Sequence, residues 1–137
     1  MLSIGQISKK AGVKVPTIRY YEQMGLIQAA ARSEGNQRRY TQAELERLSF
    51  IRHARELGLS LEDIRELLEM AQTPDMPCQQ AHAIAATHLE AVEKRIRKLQ
   101  RLKIELGRMT RSCNSGTVGE CDVIHALADH SLCQSPH

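Results

Sequence analysis

The chain has 137 residues and a mass of 15.4 kDa, enough for one small domain and an appendage, which excludes the larger enzyme architectures. Aromatic residues make up only 3% of it and hydrophobic residues 42%, so its apolar side chains are mostly aliphatic and favour helix packing over a sheet core. Residues 1–56 carry ten Lys and Arg against five Glu, a net charge of +5, and this basic half predicts a polyanionic partner.

Nothing in the sequence indicates secretion or a membrane. Apolar runs fall short of the roughly eighteen residues that span a bilayer, and the N-terminus lacks the apolar core and cleavage site of a signal peptide. We therefore expect a cytoplasmic protein with no membrane partner. In a reducing compartment, cysteines are expected to be thiols, metal ligands or redox switches rather than a disulfide framework. The four cysteines all lie in the second half: Cys78, Cys113, Cys121 and Cys133.

The first 40 residues predict a helix-turn-helix followed by a basic hairpin. Ser3 is a predicted N-cap of a first helix that Gly12 ends, and Val15-Pro16 opens a second helix that stops before Gly25. Two helices joined by a tight turn within 25 residues are typical of a helix-turn-helix. The pair Gly35-Asn36 then predicts a tight turn between two extended arms, which form a basic wing.

Two further capped helices complete the predicted domain. Thr41 with Glu44 forms a capping-box pattern before the third helix, and Ser60 with Asp63 caps the fourth. The proline-containing residues 73–77 end the fourth helix. We interpret residues 1–72 as one winged helix-turn-helix domain that binds DNA, and residues 73–77 as a hinge.

A long helix is predicted over residues 78–112, because apolar residues recur there at heptad spacing without an intervening proline. Such a stripe would stay exposed on a lone helix, which predicts a coiled-coil homodimer. Residues 113–128 are predicted to form a cysteine-closed loop and a short terminal helix, and residues 129–137 a flexible tail. The predicted seam residues are Ala85, Leu89, Val92, Ile96, Leu99, Lys103 and Leu106.

Candidate DNA contacts lie on the second helix, the wing and the third helix. Arginine suits bidentate contact with guanine edges or phosphates, and tyrosine hydroxyls reach phosphate oxygens. The side chains with these properties are Thr17, Arg19, Tyr20, Tyr21, Arg32, Arg38, Arg39, Tyr40, Arg52 and Arg55.

Several short motifs in this order resemble the MerR family of bacterial transcription regulators. They are Ile18-Arg19-Tyr20-Tyr21-Glu22, Gly25-Leu26-Ile27, Gly35-Asn36, Arg39-Tyr40, Ile51-Arg52 and Gly58-Leu59-Ser60-Leu61-Glu62-Asp63-Ile64. The resemblance implies a mainly helical homodimer joined by an antiparallel coiled coil. It also implies a regulator that binds double-stranded promoter DNA and distorts it for bacterial RNA polymerase once an effector is bound. The implied DNA contacts are Lys14, Thr17, Arg19, Tyr20, Tyr21, Arg38, Tyr40 and Arg55.

The cysteines predict a metal site shared between two chains. Cys78 and Cys113 bracket the long helix and would lie about 50 Å apart in one chain, too far to share an ion. An antiparallel dimer instead brings Cys78 of one subunit beside Cys113 and Cys121 of the other. Three thiolates favour a soft divalent ion, namely cadmium, lead, zinc or mercury. Together with the resemblance, which implies activation, this donor set leads us to expect a metal-responsive regulator that activates metal-resistance or efflux genes.

Two alternatives of the same fold stay open. By resemblance, a cysteine at position 78 indicates a sensor of divalent ions, but the loop of seven residues between Cys113 and Cys121 is as short as in copper(I) sensors. A thiol–disulfide switch between these two cysteines is the other alternative. An enzyme is not expected, because the chain has no Cys-x-x-Cys motif, glycine-rich phosphate loop or nucleophile elbow.

Overall fold

The computed structural model describes residues 1–29, 31–112 and 116–129, and they are mainly helical, which confirms the predicted fold class. The chain divides into two compact units, Met1–Ile84 and Ala85–His137. None of the described helices has the length and apolar character of a membrane span. The described elements are β1 (Leu2–Ser3), α1 (Ile4–Ala11), α2 (Val15–Gln23), β2 (Ala31–Arg32), β3 (Arg38–Tyr40), α3 (Gln42–Glu56), α4 (Leu61–Ala71), α5 (Gln79–Ser112), a 3₁₀ turn (Val118–Glu120) and α6 (Asp122–Ala128).

The helix-turn-helix forms where local signals predict it. The Ser3 hydroxyl accepts a hydrogen bond from the Gln6 amide, and the Gln6 side chain accepts one from the Ser3 amide, so α1 begins at a reciprocal capping box. Gly12 ends α1 in the left-handed region at φ 70°, where a side chain would be strained. Pro16 lies in the first turn of α2, where its missing N–H costs no helical bond.

The wing (residues 31–40) is the predicted hairpin of β2 and β3. A third strand, β1, joins the same sheet and was not predicted. β2 pairs antiparallel with β3, and the turn is closed by the Asn36 amide donating to the Ser33 carbonyl at 2.9 Å. Asn36 adopts φ 61°, a conformation that asparagine tolerates better than most residues. β1 pairs with the other edge of β3, which the sequence does not predict because two residues are too short to show an alternating pattern.

The core of the first unit is almost entirely aliphatic. The first four helices, β3 and the loop after α2 contribute its fully buried side chains, so packing holds these elements in one arrangement. Ile84, in the second turn of α5, also packs against this core. The first unit therefore extends beyond the predicted boundary at residue 72. Its largest fully buried side chains are Tyr40, Ile7, Ile18, Leu26, Leu48, Ile51 and Ile64.

The second unit carries an uncovered apolar stripe on α5. The predicted seam residues Leu89, Ile96 and Leu99 expose 58%, 48% and 55% of their surface in the single chain. Met109 is buried further along the same helix, and Ala126 is buried on α6. A stripe of this kind is what a partner helix would cover.

Helix α3 begins at a capping box that is expected to weaken at acidic pH. The Thr41 amide donates to the Glu44 carboxylate at 2.9 Å, and the Thr41 hydroxyl donates to the same group. Burial raises the pKa of Glu44, but these hydrogen bonds outweigh burial and leave the pKa below its usual value. A lowered pKa adds stability above the unfolded-state value of about 4.3, and this stability is lost as the pH falls through the folded-state pKa.

We expect Glu44→Gln to lower the free energy of unfolding at pH 7 by about 0.3–1 kcal/mol, because glutamine can still accept the capping hydrogen bonds but lacks the negative charge that the helix N-terminus favours. The difference from the unaltered protein should shrink at an acidic pH below the lowered folded-state pKa, because only there is the unaltered carboxyl also neutral in the folded protein. Urea unfolding at both pH values measures it. Glu46→Gln, on an exposed neighbour in the same helix, is the matched control. An equal gap at both pH values would contradict the role of the ionised carboxylate.

Candidate nucleic-acid interface and thiol site

Helix α2 has a core face and an exposed face. Ile18 and Tyr21, three residues apart, face the core with 0% and 8% exposure, while Arg19 and Tyr20 between them are exposed. The Tyr20 and Tyr21 rings are 6.1 Å apart between centroids. The exposed face of α2 therefore presents a guanidinium and one phenol to a ligand.

Two shallow grooves gather most of the predicted contacts. The first, of about 370 Å³, is lined by Lys14, Thr17, Arg52 and Arg55, with the edge of Tyr21. The second, of about 390 Å³, lies between α2 and the wing and includes Arg19 and Arg38. Both grooves are rich in cationic donors, the chemistry that binds phosphate oxygens.

The third helix anchors two of its arginines on backbone carbonyls. Arg52 Nη1 donates to the Ala11 carbonyl at 2.9 Å, and Arg52 Nε donates to Glu56 at 3.0 Å. Arg55 Nη1 donates to the Leu59 carbonyl at 2.9 Å. These bonds hold exposed guanidinium groups in place and satisfy carbonyls near helix ends.

The carboxylate of Glu22, which was not among the predicted site residues, links α2 to the wing. Glu22 Oε2 accepts a hydrogen bond from Arg38 Nε at 2.6 Å, and Glu22 Oε1 accepts one from the Tyr40 hydroxyl. Burial, followed by the bond to Glu22, raises the pKa of Tyr40 well above its usual value. The only sequence signal for Glu22 is its place at the end of the string Arg19-Tyr20-Tyr21-Glu22.

Tyr40 and Tyr21 were both predicted to contact DNA, and the prediction for Tyr40 requires a correction. Tyr40, the last residue of β3, is fully buried in the core of the first unit. Tyr21 is buried because helical periodicity places it on the core face with Ile18. Tyr40 therefore lies beneath the interface and presents no surface to a ligand. Tyr21 is mostly buried but still lines the first groove, so its contact with DNA stays a prediction.

Cys78 is a free, exposed cysteine immediately before α5. Its carbonyl accepts the His82 amide at 2.9 Å in the first turn of that helix. It lies at an apolar groove of about 300 Å³ within the first unit. Residues lining this groove include Phe50, Leu67, Met70, Met76 and Ala81.

Of the two loop cysteines, one is described. Cys121 is half-buried, precedes α6 and is disulfide-bonded in the structure. Cys113 lies outside the described residues. Within residues 1–29, 31–112 and 116–129 of the single chain, no three His, Cys, Asp or Glu side chains form a metal-binding group. The three-cysteine site therefore stays a prediction that requires a second chain.

The folded chain and two family models agree on the class of protein. Residues 2–71 match the model of the MerR HTH family regulatory proteins, and residues 45–109 match the model described as MerR, DNA binding. The chain belongs to the MerR family, a family of DNA-binding transcription regulators and not of enzymes.

Within this family, the chain is similar to several individual regulators. The chain is 43% identical over 131 residues to the HTH-type transcriptional regulator ZntR of Escherichia coli (strain K12), covering 93% of this chain and 92% of that protein. It is 35% identical to heavy metal-dependent transcription regulator 2 of Rhizobium meliloti (strain 1021), covering 95% and 88%. The crystal structure of PbrR691 from Ralstonia metallidurans CH34 in complex with lead(II) is 38% identical, with a TM-score of 0.80 and coverage of 93% and 99%.

Proposed function

We propose that this protein is a transcription regulator whose effector is a soft divalent metal ion: cadmium, lead, zinc or mercury. The observation that carries the proposal is Cys78, a free and exposed thiol at the start of α5. Thiolates are the ligands that such ions prefer. The names of the relatives support it, because one is a heavy metal-dependent regulator and another was crystallised with lead(II).

The proposed ligand of the first unit is double-stranded promoter DNA. The two basic grooves gather cations from α2, the wing and α3, elements that pack around one core, as a duplex surface requires. The proposed contacts, with the fully buried Tyr40 removed, are Lys14, Thr17, Arg19, Tyr20, Tyr21, Arg38 and Arg55.

We propose that the uncovered stripe on α5 joins two chains as an antiparallel homodimer. Residues 78–112 then serve as the dimerisation helix, and residues 113–128 as the loop and terminal helix next to the partner's hinge. The proposed metal ligands are Cys78 with the partner's Cys113 and the partner's Cys121. This donor set fits a soft ion chemically, because Cys78 is a free thiol and Cys121 becomes one on reduction.

The regulatory consequence follows from the place of Cys78. It directly follows the proposed hinge, residues 73–77, so a bond at its sulfur restrains the segment that joins α4 to α5. Restraint there biases the orientation of the two DNA-binding units, and DNA held between them must bend or untwist to match. We propose that this distortion lets bacterial RNA polymerase use the promoters of metal-resistance or efflux genes.

A titration of the reduced protein with zinc, cadmium, lead, mercury and copper(I) tests the proposal. Reduction is needed because Cys121 is disulfide-bonded in the structure and a metal ion binds thiolates. Thiolate-to-metal absorbance is expected to saturate at one divalent ion per subunit. Tight binding of copper(I) alone would assign the protein to copper sensing. No metal binding, together with a change in DNA binding on oxidation, would favour a redox regulator, the second candidate that the Cys121 disulfide supports.

A further inference from the structure

An acidic side chain lies where a DNA-binding surface should disfavour one. Glu22 is in the last turns of α2, next to the groove that contains Arg19 and Arg38. A carboxylate close to phosphates weakens binding to a polyanion by charge repulsion. A favourable contribution from Glu22 would offset this repulsion, and its two hydrogen bonds to β3 supply one.

The contacts of Glu22 are both directed at β3. Its side chain is only 15% exposed, and its two oxygens accept hydrogen bonds from different residues of that strand, Arg38 and Tyr40. Tyr40 is fully buried, so its hydroxyl fixes the carboxylate from the core side. Glu22 is consequently a rigid link between α2 and the wing.

The bond to Glu22 leaves the terminal nitrogens of Arg38 available to a ligand. Only Nε of Arg38 is bonded to Glu22, and the side chain remains 31% exposed within the groove. The terminal nitrogens can therefore donate to phosphate oxygens from a preset orientation. An arginine held in advance loses less side-chain entropy on binding than a free one does.

We infer that Glu22 is a positioning residue for DNA binding, which acts by orienting Arg38 toward the DNA backbone. The inference rests on the proposed function, since it needs Arg38 to be a DNA contact. It also makes a prediction of unusual sign: removing this negative charge weakens binding to DNA, whereas charge repulsion alone predicts tighter binding.

The test compares Glu22→Gln with Glu34→Gln, the same charge change at an exposed residue of the wing turn. The probe is a duplex selected from a random-sequence library by the unaltered protein. Glu22→Gln is expected to lower affinity about three- to tenfold, a loss of about 0.7–1.4 kcal/mol. Glu34→Gln is expected to leave affinity unchanged or to raise it. Tighter binding by both variants would overturn the inference.

A double-mutant cycle separates this inference from the proposed function. In the Arg38→Ala background, Glu22→Gln is expected to cause no further loss, because the residue through which it acts is gone. If Arg38→Ala alone does not weaken binding, the proposed wing contact fails and the inference fails with it. If Arg38→Ala weakens binding and Glu22→Gln does not, only the inference fails.

A second variant guards against a folding defect. Tyr40→Phe keeps the buried ring and removes the other hydrogen bond to Glu22. It is expected to weaken DNA binding less than Glu22→Gln does, and to have no effect in the Arg38→Ala background. An equal loss with and without Arg38 would show a general disturbance of the wing and overturn the inference.

Discussion

Replacing Cys78 with serine is expected to abolish the response to metal and leave DNA affinity without metal within about twofold. Serine keeps the size of cysteine, but its hydroxyl is a poor ligand for soft ions. Loss of an outer-shell partner already costs about 10- to 100-fold in metal affinity, so loss of a direct ligand should cost more than about 100-fold. Cys78 lines the apolar groove rather than either basic groove, which is why DNA affinity should persist.

The experiment measures two quantities on the same protein samples. Metal affinity is read from thiolate-to-metal absorbance in competition with a chelator, and DNA affinity is measured with and without metal on the selected duplex. Cys133→Ser, at the cysteine outside the proposed set, is the matched control and should retain the metal response. Equal loss of DNA affinity in Cys78→Ser would mean that Cys78 supports the fold. A full metal response in Cys78→Ser would exclude it as a ligand.

Replacing Arg19 with alanine is expected to weaken DNA binding at every metal concentration. Arg19 is exposed on α2 and lies in the groove between α2 and the wing. One arginine contact with a base edge or phosphate is worth about 1–3 kcal/mol, and a dimer would lose two of them. The expected loss in the dimer is therefore at least about 2 kcal/mol, or about 30-fold in affinity.

The salt dependence of binding shows which contact was lost. A phosphate contact contributes about one to the slope of log affinity against log salt concentration, so its loss flattens the slope on every duplex. A base contact instead relaxes selectivity at one position of the selected sequence. Arg97→Ala, one residue beyond the predicted seam on exposed α5 surface, is the control for charge alone. Unchanged affinity in Arg19→Ala would remove α2 from the interface.

Local signals predicted the elements well because each signal acts within a few residues. The capping box of Ser3, the proline in the first turn of α2 and the Gly35-Asn36 turn all formed as expected. The strand β1 escaped prediction because its pairing with β3 joins residues nearly 40 positions apart and leaves no periodic trace. Long-range strand pairing is therefore the part of the fold that local sequence signals did not predict.

The same distinction applies to the candidate interface. Residue type identified Arg19 and Arg38 as cations suited to DNA, but it also selected Tyr21 and Tyr40, which the structure buries. A tyrosine on an interface and a tyrosine in a core have the same composition, and only packing separates them. Glu22 was not predicted as a site residue, because its role depends on two hydrogen bonds to a strand sixteen and eighteen residues away.

Sequence alone determined the helical class, the order of the helices and the hairpin, the basic first half and the family motifs, because helix caps, turns and periodicity are local properties of the chain. The tertiary structure decided which polar side chains remain available to a ligand and which are held in the core or by one another. It showed that Tyr40 is a buried anchor, that Glu22 holds Arg38, and that the first unit extends to Ile84. Burial and hydrogen bonding between distant residues depend on packing of the whole unit, and no short stretch of sequence contains that information.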